Sequence, residues 1–107
     1  MARIVVLDQK RLRLEIEGAV QGVGFRPFVQ RLATALDLTG WVANGSAGAC
    51  IEAEGNISAV RQFLDRLPID LPPQGTIRRL EAHWLAPAGY EGFEIRNGTI
   101  PGEPAGA

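Results

Sequence analysis

The chain has 107 residues, enough for one domain with a modest core and too few for two. Hydrophobic residues make up 46% and charged residues 21%, and the net charge is −1. This composition is typical of a globular domain and indicates neither nucleic acid nor an anionic membrane as a partner. The single cysteine, Cys50, excludes an internal disulfide and a cysteine-based zinc site, and it favours a reducing compartment. Because the apolar run at residues 4–7 is too short for a signal peptide or a membrane span, we expect a cytoplasmic domain.

The first third of the chain predicts a strand, a glycine-rich turn and a helix. Alternation of apolar and charged residues around Leu14 indicates a half-buried strand. The turn "VQGVGFR" follows at residues 20–26, and Pro27 suits the first turn of a helix. Apolar residues then recur at helical spacing: Phe28, Leu32, Ala35 and Leu36. Gly40 marks either the helix stop or the entry to the next strand.

The middle of the chain predicts a hairpin. Residues 41–44 read as a short strand, residues 44–48 as its connection, and residues 49–54 as the return strand. Ala49, Ile51 and Ala53 form one face of the return strand. The other face, predicted to be the wetter one, carries Cys50, Glu52 and Glu54.

The last third predicts a second helix, a long strand and an edge strand. Asn56 or Ser58 can serve as the helix N-cap, and Pro68 is expected to stop the helix. Its apolar stripe consists of Val60, Phe63, Leu64 and Leu67. Residues 76–85 read as a strand, and Phe93 and Ile95 could supply one more edge strand. We place one domain at residues 1–97 and a Pro/Gly-rich tail or linker at residues 98–107.

The order β-α-β-β-α-β predicts an α+β fold of the ferredoxin-like type. Two split βαβ units give a four-stranded antiparallel sheet with both helices on one face, here with a possible extra edge strand. The fold alone does not specify a function.

The turn at residues 20–26 has the chemistry of an anion site. Glycines let several backbone N–H groups converge, a helix N-terminus adds positive potential, and Arg26 adds a planar cation matched to phosphate oxygens. A tight strand–helix turn whose arginine points to solvent remains the alternative on this pattern alone. A Walker loop and a G-x-G-x-x-G dinucleotide loop do not fit, because the lysine and the third glycine are missing.

"VQGVGFR" before a helix and "GWVANG" about one helix later together resemble the signature of the acylphosphatase family. The resemblance covers about residues 12–96 and agrees with the predicted element order. It implies that the phosphoryl group of an acyl phosphate is held by the Arg26 side chain and by the loop amides, and that Asn44 positions the attacking water. Those amides belong to Gln21, Gly22, Val23, Gly24, Phe25 and Arg26. No metal or cofactor is expected, because His83 stands alone among scattered carboxylates in the sequence.

The continuations "GFRPFVQRLA" and "NGSAGACIEAEG" are more similar to the N-terminal acylphosphatase-like domain of [NiFe]-hydrogenase maturation carbamoyltransferases. This second resemblance implies carbamoyl phosphate as the substrate. It also implies further domains of a larger polypeptide and the hydrogenase-maturation machinery as partners.

Three functions therefore stay open. The chain is a hydrolase domain directed at carbamoyl phosphate, a stand-alone acylphosphatase of broad range, or a catalytically silent module that binds phosphate or a partner protein. The remaining notable residues have structural interpretations. Cys50 and His83 are expected on a solvated sheet face, and Trp41 and Trp84 are expected to pack on the core or a sheet face. Asn44, taken by itself, could be only a hairpin residue.

Overall fold

The computed structural model of the protein describes residues 8–99. The apolar run at residues 4–7 and residues 100–107 of the predicted tail lie outside this range. None of the helices within the described range is long and apolar enough to cross a membrane. The elements are β1 (Gln9–Ala19), α1 (Phe25–Ala35), β2 (Thr39–Asn44), β3 (Gly48–Asn56), α2 (Ile57–Ile69), β4 (Thr76–Leu85) and β5 (Phe93–Thr99). This order confirms the predicted β-α-β-β-α-β series and its extra edge strand.

The sheet has the strand order β4-β1-β3-β2-β5. Its first four strands pair antiparallel, as the ferredoxin-like fold requires. The fifth strand lies parallel to β2, so the complete sheet is mixed. Strand β5 continues to Thr99, two residues into the segment predicted as tail, and Thr99 pairs with Asn44.

The core lies between the sheet and the two helices. The strand register places Leu14 beside Ile51 and Ile51 beside Val42, and all three are fully buried. Amphipathic stripes of the helices cover this face of the sheet. The buried helix residues are Phe25, Phe28, Val29, Leu32 and Ala33 of α1, and Val60, Phe63 and Leu67 of α2.

The helix ends refine the predicted boundaries. The Asn56 side chain caps α2 by accepting a hydrogen bond from the Ser58 backbone N–H at 2.8 Å. Helix α2 runs one residue beyond Pro68, because a proline in the last turn removes only one intrahelical bond. Helix α1 ends at Ala35, and Asp37 adopts the left-handed conformation that follows it (φ 57°). Gly40 is therefore a strand residue and not the helix stop.

The sheet face opposite the helices is covered where β3 lies, so the prediction that β3 has its wetter side there is wrong. Cys50, Glu52 and Glu54 are at most 7% exposed. The connection between β4 and β5 starts at one edge of the sheet and reaches the other edge across this face. We call this connection, residues 86–92, the crossover segment. Sequence periodicity indicated two faces correctly, but it could not show that a distant segment covers the second one.

Candidate functional site

The loop between β1 and α1 depends on glycine for its backbone conformation. Gly22 and Gly24 have φ angles of 75° and 77°, in the left-handed region that side chains disfavour. A Cβ atom at either position would meet no atom within 4 Å. Conformation and not space therefore requires glycine at these two positions.

The N-terminus of α1 has features suited to an anion. Gly24 is the N-cap, no side chain of the described residues caps the helix, and its first turn contains no acidic residue. The earliest hydrogen bond of the helix runs from the Phe28 N–H to the Gly24 carbonyl at 3.1 Å. No group in residues 8–99 accepts a hydrogen bond from the N–H groups of Gly22, Val23 and Gly24. Free N–H groups and the helix dipole together produce positive potential at this end of α1.

The Gln21 side chain fixes this loop to the β2–β3 hairpin. Its Nε2 donates to the carbonyl oxygens of Gly45 at 3.2 Å and of Gly48 at 3.1 Å. Gly45 directly follows Asn44, the last residue of β2. The loop and the segment that carries Asn44 are therefore held together, and sequence reasoning, which considered only the backbone amide of Gln21, missed this contact.

Arg26 lies half-buried in the first turn of α1 and contacts β5. Its Nη1 donates to the backbone carbonyl of Arg96 at 3.0 Å and to the Asn97 side-chain oxygen at 3.3 Å. The β2–β5 register is irregular here, since Val42 pairs with Ile95 but Asn44 pairs with Thr99. The acceptors of the Arg26 hydrogen bonds, Arg96 and Asn97, lie in β5 between these two pairs. No motif in the sequence marks Asn97 as a contact of Arg26.

Asn44 lies half-buried at the end of β2, between β3 and β5. It faces Ala49 across one ladder and Thr99 across the other. Arg26 binds β5 two to three residues before Thr99. The loop, Arg26 and Asn44 thus lie at the same end of the β2–β5 pair, although none of the hydrogen bonds among the described residues joins the two side chains.

A partly buried polar network lies on the opposite sheet face. The Glu52 carboxylate accepts hydrogen bonds from Tyr90 Oη at 2.6 Å, from Arg13 Nη1 at 2.7 Å and from Arg11 Nη1 at 2.9 Å. Trp41 Nε1 donates to the same Tyr90 hydroxyl at 3.2 Å. Burial alone would raise the pKa of Glu52, but the hydrogen bonds from Tyr90, Arg13 and Arg11 outweigh it and hold the pKa below its ordinary value.

The other residues singled out in the sequence, two tryptophans and a histidine, differ in their exposure. Trp41 is buried, as predicted, but Trp84 at the β4 edge is 45% exposed. His83 is exposed, as predicted, yet it is not isolated, because its Nε2 lies 3.5 Å from Glu15 Oε2 and 3.8 Å from Glu81 Oε2. These three side chains offer ligand atoms within 4.8 Å of one another and are the group in the described range that could hold a metal ion.

Comparisons with known proteins assign the family. The acylphosphatase family model matches residues 12–95. The chain is 46% identical to the carbamoyltransferase HypF of Rhizobium leguminosarum bv. viciae over 95 residues, which are 89% of this chain and 12% of that protein. It is 40% identical over 88 residues to an acylphosphatase of Thermotoga petrophila, covering 81% of this chain and 97% of that protein.

Solved structures agree with the sequence relatives. A full-length HypF crystal structure in the phosphate- and nucleotide-bound form superimposes with a TM-score of 0.85 at 31% identity, covering 94% of this chain and 14% of that one. The chain thus spans about an eighth of the carbamoyltransferases it matches and nearly the whole of the matched acylphosphatase. With the ferredoxin-like fold and the loop described above, these matches show that the chain belongs to the acylphosphatase family.

Proposed function

We propose that this domain binds the phosphoryl group of an acyl phosphate at residues 21–26 and hydrolyses the substrate. The observation that carries the proposal is the combination of left-handed glycines, loop amides without an acceptor in the described part of the chain, and Arg26 at the N-terminus of α1. These groups supply positive charge where three phosphoryl oxygens would lie. The family membership supports hydrolysis as the reaction type.

The reaction needs charge stabilisation and an oriented nucleophile. The water oxygen forms a bond to phosphorus while the bond between phosphorus and the acyl oxygen breaks, so the acyl group leaves as a carboxylate and the water protons remain on the phosphate. A loose transition state of this kind gains most from fixed donors around the phosphoryl oxygens. Arg26 and the loop amides are the proposed donors. Asn44 is the proposed water-positioning residue, since its amide oxygen can accept a hydrogen bond from water.

For the substrate we propose carbamoyl phosphate, with this domain acting as part of a larger cytoplasmic polypeptide of hydrogenase maturation. Carbamoyl phosphate is itself an acyl phosphate, and its acyl group would leave as carbamate. The similarity to two carbamoyltransferases, over about a tenth of each of their lengths, supports this choice. The similarity to complete acylphosphatases favours the second candidate, a hydrolase of broad range.

Phosphate release from carbamoyl phosphate and from benzoyl phosphate tests the proposal. We expect Arg26→Ala to lower kcat/KM about 10³-fold and Asn44→Ala about 10²-fold, because each removes a group that acts on the transition state. Arg31→Ala removes an exposed arginine from the same helix and is the matched control, for which we expect wild-type rates. A preference for carbamoyl phosphate supports the carbamoyltransferase context, whereas a preference for benzoyl phosphate supports the broad hydrolase. An inert wild type would leave only the silent binding module.

A further inference from the structure

Arg26 is anchored through one end of its guanidinium. Nη1 makes both hydrogen bonds to β5, and Nε and Nη2 donate to no acceptor in the part of the chain that the structure describes. The Nε–Nη2 edge is therefore open to a ligand. A planar edge with two parallel N–H groups binds phosphate oxygens in a bidentate manner.

Both anchors of Arg26 are neutral oxygens. A carboxylate at the same place would make a stronger hydrogen bond to the guanidinium, but it would also cancel the charge that an anion needs. The acidic residue nearby on β5, Glu94, instead accepts a hydrogen bond from Arg96 Nε at 2.7 Å. Among residues 8–99, no acidic side chain forms an ion pair with Arg26.

The strand that presents these anchors is itself fixed. The Arg96 guanidinium carbon lies 4.5 Å from the centroid of the Trp41 ring, and Trp41 is 4% exposed. Trp41 in turn donates to Tyr90, which belongs to the partly buried network around Glu52. These contacts hold in place the part of β5 that carries the Arg96 carbonyl and the Asn97 side chain.

We infer that Asn97 is a positioning residue that aims the open edge of Arg26 at the anion and, by being neutral, leaves the full guanidinium charge to it. This inference rests on the proposed function of the loop. It makes the residue type at position 97 a determinant of phosphate affinity, although Asn97 need not touch the ligand.

The test measures the dissociation constant of inorganic phosphate by calorimetry for wild type, Asn97→Ala and Asn97→Asp. We expect Asn97→Ala to weaken binding about twofold, because one exposed hydrogen bond to Arg26 is lost. We expect Asn97→Asp to weaken binding about fivefold or more, because the new charge competes with the anion for Arg26 and repels it. Gln62→Glu adds the same charge at an exposed position of α2 and should bind phosphate like wild type.

The salt dependence of phosphate affinity provides a second readout. A merely structural role of Asn97 would not make the difference between the two variants depend on salt. The deficit of Asn97→Asp relative to Asn97→Ala should shrink in 0.5 M salt, which screens charges that are more than about 4–5 Å apart. A structural anchor predicts the reverse order of affinities, since aspartate holds arginine more firmly than asparagine does. The inference requires that phosphate affinity falls from wild type to Asn97→Ala and again to Asn97→Asp, and that salt reduces the second step. Any other pattern overturns it.

Because phosphate binding is measured without turnover, the two proposals fail separately. If the wild type binds phosphate with this order of variants but hydrolyses no acyl phosphate, the hydrolase proposal fails and the role of Asn97 stands. If the wild type hydrolyses acyl phosphates and the Asn97 variants bind phosphate as it does, only the role of Asn97 fails. A wild type that binds no phosphate would refute the role of Asn97, and it would refute the hydrolase proposal as well only if it also hydrolysed no acyl phosphate.

Discussion

At the scale of single residues, the loop before α1 combines a backbone conformation that depends on glycine with groups that can bind an anion. Gly22 and Gly24 have positive φ angles, and the N–H groups of residues 22–24 have no acceptor within residues 8–99. The same short stretch carries Arg26, which α1 positions toward β5. The motif in the sequence was sufficient to select Arg26 and Asn44 as candidates. The oxygen atoms that hold Arg26 were not predictable, because they come from a strand seventy residues further along the chain.

Gly24→Ala tests whether backbone conformation is what the loop requires. We expect the free energy of unfolding to fall by about 1–2 kcal/mol, because alanine disfavours a φ of 77°. Phosphate affinity should fall as well, since a relaxed loop no longer directs its N–H groups together. Urea unfolding and phosphate titration measure the two effects. Gly24→Asn is the matched variant, because asparagine tolerates the left-handed region better and should lose less stability. Equal losses for both variants would mean that conformation is not the cause.

At the scale of elements, the crossover segment is anchored by side chains of another element. The crossover segment has no helix or strand, yet two buried carboxylates of β3 hold it to the sheet. Glu54 accepts hydrogen bonds from the backbone N–H groups of Ala88 at 2.7 Å, Gly89 at 2.8 Å and Tyr90 at 3.2 Å. Glu52 accepts from the Tyr90 side chain. The alternation of residue types along β3 indicated that these glutamates share a face. Their burial could not be predicted without knowing the path of the crossover segment.

The lowered pKa of Glu52 predicts a stability that depends on pH. A carboxylate whose pKa is lower in the folded protein stabilises the fold above its unfolded pKa of about 4.5, and this contribution is lost as the pH falls through the lower folded value. Tyr90→Phe removes one of the hydrogen bonds that lower this pKa. At pH 7 we expect it to reduce the free energy of unfolding by about 1.5–3 kcal/mol, the usual range for a hydrogen bond to a buried charge.

The measurement is urea unfolding of wild type and Tyr90→Phe between pH 7 and pH 3. The difference between the two proteins should shrink as the pH falls below 4.5, because a protonated Glu52 no longer gains from the bond. Glu91→Gln, at an exposed position of the same segment, is the control and should follow the wild-type curve. A Tyr90→Phe deficit that stays constant over this range would refute the role assigned to Glu52.

At the scale of the whole molecule, the core between the sheet and the helices supports both layers and the loop that they position. Phe63 of α2 is fully buried and is one of the largest side chains in that core. We expect Phe63→Ala to lower the free energy of unfolding by about 3–5 kcal/mol, through lost burial and the cavity it leaves. Gln62→Ala, at the adjacent exposed position, should change it by less than about 0.5 kcal/mol. Chemical denaturation of both variants tests this, and similar values for the two would contradict the assigned packing.

The sequence by itself determined the order of elements, the two helical stripes, the loop with Arg26 and the family resemblance. All of these depend on residues close together in the chain, where period, capping and turn chemistry act locally. Tertiary structure alone decided that β5 lies parallel to β2, that the crossover segment buries Glu52 and Glu54, and that Asn97 holds Arg26. These features join segments from 34 to 71 residues apart. No local pattern records such contacts, because they arise only when the chain crosses the sheet and packs as a whole.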